Sequence, residues 1–162
     1  RDDLNTRLCW LRKAVDEGYI YASYNIGDLL ARSSNEDEVA EAANAYKLVA
    51  DSEDKEANTD GAGFRFALMM FKVLGMKANT KEALEIMLHL AENGHYFSLS
   101  ELGNIFLTGK YGVEEDHNKA FEFYSKAYDE ANFRSMSSSA IIALMLLSGT
   151  SKKKIKIKAL MR

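Results

Sequence analysis

Residues 94–131 read GHYFSLSELGNIFLTGKYGVEEDHNKAFEFYSKAYDEA, and this stretch decides the fold. It predicts two short helices joined by a glycine-rich turn. Gly109 and Gly112 suit the left-handed backbone that ends one helix and redirects the chain. Asp116 stands where the second helix needs an N-cap. Within the helices, Gly103 lets a partner helix approach closely, and Phe123 and Tyr124, one turn from Ala120 and Ala127, set large rings beside small neighbours.

The flanking sequence echoes this unit. Leu8, Leu11, Ala14 and Val15 form a helix-period stripe over 7–17 that stops at Gly18, and Ala22, Ile26, Leu29 and Leu30 form the next. A third helix starts at Glu36, its acids facing the positive end of the helix dipole. Residues 52–63, acidic and then glycine-rich, are expected to be a loop. A strongly apolar helix runs from there to Gly75, and Asn79 and Thr80 offer caps for the helix that follows. Beyond 131 come a polar connector, an apolar helix over 140–149 and a basic tail, 150–162. The second-type helices end near Gly18, Glu53, Gly94 and Ala131, at intervals of 35, 41 and 37 residues. Helix pairs at such a period mark stacked hairpins, each unable to cover its own apolar face.

Composition agrees. The 162 residues are 47% hydrophobic and 28% charged and include no proline, which suits a globular domain built from uninterrupted helices. One cysteine, Cys9, allows no internal disulfide, and no Asn-x-Ser/Thr sequon occurs; both favour the cytoplasm, with mitochondria or the ER lumen left open. The longest apolar run, Ala140–Leu147, is far shorter than the ~20 residues that span a bilayer, so no direct membrane span is expected. The net charge of −3 conceals a tail with five Lys and one Arg and a remainder at −9. An acidic body disfavours nucleic acid and suits a basic and apolar protein partner. The chain opens on Arg1 rather than Met, and helix 7–17 has no first-helix partner; both lead to the expectation of a segment cut from a longer array, or one completed by another chain.

Catalytic patterns do not assemble. His89, His95 and His117 form no metal-binding pair, and Cys9 has no assignable base and reads as a half-buried packing residue. Gly61-x-Gly63 is followed by Phe66 where a dinucleotide loop needs glycine. No catalytic residue, metal or cofactor is expected.

Ser98, Leu102, Gly103, Phe106, Gly109, Gly112, Val113, Asp116, Lys119, Ala120, Phe123, Tyr124, Lys126 and Ala127 together resemble the SEL-one-like repeat, a relative of the tetratricopeptide repeat. Weaker copies include Trp10, Lys13, Ala14 and Gly18; Ala22, Ile26 and Gly27; and Phe64, Leu68 and Gly75, with Met69 in the glycine slot. The resemblance implies an all-α, right-handed superhelical solenoid of about four antiparallel helix hairpins over 1–149, with units near 1–18 (partial), 19–53, 62–94, 95–131 and 132–149 (partial). It also implies a scaffold or adaptor that binds a peptide or helix on the concave face lined by first helices. In this register the face carries Tyr24, Asn25 and Asp28; Phe66, Ala67 and Met70; Ser100, Glu101 and Asn104; and Ala140, Ile141 and Leu144. The alternatives are a structural module that self-associates into a homo-oligomer and an enzyme-accessory assembly factor.

Overall fold

The computed structural model describes residues 2–53, 58–72 and 80–130, and every regular element among them is helical. In order these are α1 (Asp2–Asp16), α2 (Tyr21–Leu30), α3 (Glu36–Ala50), α4 (Thr59–Lys72), α5 (Thr80–Glu92), α6 (Tyr96–Thr108), one 3-10 turn (Lys110–Gly112) and α7 (His117–Glu130). The expected helix over 140–149, the basic tail and the cap at Asn79 lie outside the described residues. The chain divides into two units, Arg1–Leu90 and Ala91–Arg162.

In the first unit α1 packs on α2, α2 on α3 and α3 on α4. Their shared core joins Leu8, Ile26, Leu30, Val39, Ala42, Ala45, Tyr46 and Met69. Gly18 closes the α1 segment with φ +96°, as its place in the pattern predicts. Asn35 caps α3 by accepting the Asp37 N–H at 2.9 Å, with Glu36, Asp37 and Glu38 in the first turn. The expected loop over 52–63 is shorter than the composition suggests, because Asn58 accepts the Gly61 N–H at 3.1 Å and starts a helix there. Gly61 and Gly63 therefore lie inside α4. Gly63 serves close packing: a Cβ there would sit 3.5 Å from Leu90 Cδ1 and 3.8 Å from Ala50 Cβ.

The second unit holds the hairpin α6–α7. Gly109 (φ +63°) ends α6 in the left-handed conformation, and Gly112 (φ +77°) repeats it. Tyr111 between them also has positive φ, +59°, a strained state for an aromatic residue. The Asp116 N–H donates to the Phe106 carbonyl at 2.8 Å and ties the turn back to α6. The Asp116 carboxylate then accepts the Lys119 and Asn118 N–H groups, both at 3.0 Å, and caps α7.

Each of these two hairpins is locked by a ring seated on a glycine. A Cβ on Gly27 would lie 2.6 Å from Tyr46 Cε1, and one on Gly103 2.8 Å from Tyr124 Cε1. The residue after each glycine holds the ring's hydroxyl: Tyr46 donates to Asp28 Oδ1 and Tyr124 to Asn104 Oδ1, each at 2.6 Å. The middle tile solves the same problem differently. Ala62, Gly63 and Ala67 are buried 40 residues on from the buried Ala22, Ser23 and Gly27, so Ala67 stands in the glycine slot. Ala83 and Met87 are fully buried 41 residues on from Ala42 and Tyr46. A methyl on the first helix thus accompanies a slender thioether in place of the ring.

Three outcomes follow for stability. Replacing a helical glycine by alanine ordinarily gains up to about 1 kcal/mol, whereas Gly27→Ala should lose about 1–3 kcal/mol in urea unfolding because Tyr46 cannot yield; adding Tyr46→Met should recover part of the loss. Burial pushes the Tyr124 phenol up to about 12, with the Glu101 carboxylate adding to it. Burial, then the Asp28 carboxylate, likewise raises Tyr46. The unfolded chain gives up these protons near pH 10 and the folded chain later, so stability should fall as pH rises from about 10 towards 12, and Tyr124→Phe should flatten that fall. Asp116 is held below the ordinary carboxylate range, first by the Lys119 N–H. Its contribution is present above the unfolded value and lost as acid protonates it, so Asp116→Ala should lower the thermal midpoint at neutral pH and reduce its acid dependence, while Asp116→Asn keeps most of the cap.

Candidate functional site

In the first unit, Tyr21, Tyr24, Asn25 and Asp28 recur at helical spacing and share one side of α2. The Tyr21 and Tyr24 rings stack at 5.8 Å with planes 1° apart, and Tyr24 meets Tyr46 edge-on at 5.5 Å. From α4, the Arg65 guanidinium donates to the Tyr24 hydroxyl, and this bond raises its pKa against the opposing effect of burial. The charge of Asp28 acts on Arg65 in the same direction. The α2 side is therefore a tyrosine ladder fixed by one carboxylate below and one guanidinium beside it.

A groove of about 520 Å³ runs between α1 and α2, lined by Arg7, Trp10, Leu11, Asn25, Asp28 and Leu29. Trp10 is 66% exposed, and Lys13 Nζ lies 4.8 Å from its ring centroid. The second unit repeats this pair as Lys126 over Phe123, at 6.0 Å. There, however, the ring is covered: Phe123 stacks on Phe106 at 5.6 Å with planes 6° apart. Tyr21, 47% exposed, extends the aromatic surface.

Of the residues assigned to the partner face, Tyr24 is half-buried in the ladder, and Asn25 and Asp28 are exposed on the groove wall. Phe66 and Met70 are half-buried and Ala67 fully buried. The burial register explains this. With Ala67 in the glycine slot instead of Met69, Phe66 and Met70 correspond to the core residues Ile26 and Leu30, and Arg65 takes the place of Asn25. A shift of two residues turns a helix side chain through about 200°, from groove to core. In the second unit, Glu101 and Asn104 are half-buried and joined at 3.3 Å, and Asn104 also holds Tyr124. Ile141 and Leu144 lie outside the described residues. Trp10, Tyr21 and Arg65 are absent from the sequence assignment; the signal for Tyr21 was its place one turn before Tyr24 on the same stripe.

Among the described residues no three His, Cys, Asp or Glu side chains converge as a metal site requires. His95 caps α6, its Nδ1 2.8 Å from Ser98 Oγ and accepting the Ser98 N–H at 3.3 Å. His89 is exposed on α5, and His117 Nε2 lies 4.0 Å from Glu115. Cys9 is exposed, not half-buried as its neighbours in sequence suggested. No helix among the described residues is long and apolar enough to cross a membrane.

No protein-family model matches the chain, and no curated protein matches it. Among solved structures it is similar to the crystal structure of a Sel1 repeat protein from Oxalobacter formigenes, with 20% sequence identity and a TM-score of 0.66. The match covers 86% of this chain and 54% of that one, so the chain spans about half the length of its structural neighbour. The all-helical architecture and this likeness together establish that the chain has a Sel1-like repeat fold.

Proposed function

We propose that the chain is a protein-interaction scaffold that holds a peptide or helix of a protein partner along the α1–α2 groove and supports assembly of a larger complex. One observation carries this reading: Arg7, Trp10 and Leu11 of α1 and Asn25, Asp28 and Leu29 of α2 line one groove that sets aromatic and apolar groups beside charged and polar ones. Tryptophan, tyrosine and arginine are enriched among the residues that carry binding energy at protein interfaces; Trp10 and Arg7 line this groove, and Tyr21 is exposed on the same side of α2 as Asn25 and Asp28. Asn25 and Asp28 on its wall add polar contacts that fix the partner's register. From α4, Arg65 reaches to Tyr24 and steadies the side of α2 that carries Asn25 and Asp28. The likeness to a Sel1 repeat protein supports a repeat scaffold, with the acidic body favouring a partner that is basic as well as apolar.

Trp10→Ala combined with Tyr21→Ala tests the reading, because both side chains are exposed and their loss leaves the core intact. Affinity purification with the unaltered chain should recover a protein partner, and the double variant should recover about tenfold less or none at an unchanged circular dichroism spectrum. Equal recovery by both chains sinks the proposal. Solution mass across a dilution series distinguishes a foreign partner from a second copy of the chain.

A further inference from the structure

The first unit contains, a few turns apart, one inter-helix groove that is bridged and one that is not. Across α1 and α3, Arg12 grips Glu41 in a forked pair: Nε to Oε1 at 3.0 Å, Nη2 to Oε1 at 2.8 Å and Nη2 to Oε2 at 2.9 Å. Moving one repeat along, Arg12 becomes Lys47 on α3 and Glu41 becomes Glu82 on α5. Both line a groove of about 440 Å³ where α3, α4 and α5 meet. Lys47 does not bridge it. Its Nζ lies 5.9 Å from the centroid of the Phe66 ring, against the groove floor.

The remaining lining divides by chemistry. Ala50, Gly63, Phe66, Ile86 and Leu90 make an apolar floor, and Asp51, Asp60, Glu82 and Glu85 stand around it. Against four carboxylates the rim offers Lys47 and His89. Glu85 has Lys81 at 3.8 Å, but both side chains are largely exposed, so that pair holds little energy and yields readily to a better partner. Glu82 has no cation in ion-pair range among the described residues, although the corresponding Glu41 is gripped by both fork nitrogens of an arginine. Guanidinium suits this position because its planar donors match both carboxylate oxygens, which the point charge of lysine cannot do.

We infer that the α3–α4–α5 groove is a second docking site, separate from the α1–α2 groove, for a basic and apolar helical segment of a protein partner. One arginine of that segment takes at Glu82 the position that Arg12 takes at Glu41. Apolar side chains one helical turn away lie on Phe66 and Ile86, and further basic residues meet Asp60 and Glu85. Charge complementarity selects this occupant, and the chain's own Arg12–Glu41 pair supplies the template.

The probe is a short synthetic helix with leucines on one side and arginines beside them, titrated by calorimetry into the full chain at low and physiological ionic strength. Glu82→Gln should weaken binding about tenfold, the loss expected for charge-assisted hydrogen bonds. Lysine in place of the probe's arginines should weaken it on the unaltered chain and make little difference on the Glu82→Gln chain. On a chain that also carries Trp10→Ala and Tyr21→Ala, Glu82→Gln should weaken binding by the same factor, which separates this site from the α1–α2 groove. A photo-crosslinker beside the central arginine should mark residues of α3 and α5. No binding up to about 1 mM probe, an equal loss on Glu114→Gln with Glu115→Gln, or crosslinks confined to other helices would overturn the inference. So would a solution mass that doubles without probe and returns to that of one chain on Glu82→Gln, since the occupant would then be a second copy.

Discussion

The contact on which both described outer hairpins depend is a tyrosine ring lying against a helix that has no Cβ at that point. Tyr46 fits over Gly27 and Tyr124 over Gly103 because a hydrogen stands where any other residue has carbon. Dispersion over a flat ring rewards that closeness but does not fix its direction. The hydroxyl does, by ending on Asp28 or Asn104, one residue beyond the glycine. The same three groups therefore set the separation of the two helices and their rotation about each other. The alanines beside the rings, Ala42 and Ala120, are fully buried for the same reason.

This arrangement also shapes the surface of α2. Asp28 and Asn104 look like free polar side chains in the sequence, yet each has an internal obligation to a phenol. Asp28 is still exposed and still lines the α1–α2 groove, so the group that orders the hairpin also contributes to its surface.

Much of the fold was legible because its determinants are local and carry distinctive residue types. The glycines at 18, 109 and 112 have the positive φ that their positions in the pattern require, and Asp116 caps as expected. Where sequence fell short, the deciding facts were tertiary. Two glycines near residue 60 suggested a loop, but Asn58 begins a helix there and Gly63 gives room to Leu90. The register of α4 slipped by two because Met69 was set in a slot that burial assigns to Ala67. In the burial register Arg65, rather than Phe66 or Met70, stands on α4 where Asn25 stands on α2. Exposure of Cys9 and Trp10 was equally hidden, since it depends on which neighbouring helix covers α1.

The Ala67 and Met87 positions have a consequence for how such chains can change. In the tiles on either side, a glycine and a ring must alter together, because a methyl added alone collides and a ring lost alone leaves a hole. Each of these hairpins thus carries a two-part volume code. Exchanges of sequence between repeats should survive when the crossover falls in the connections between hairpins, and fail when it falls in the short turn that parts a first helix from its second.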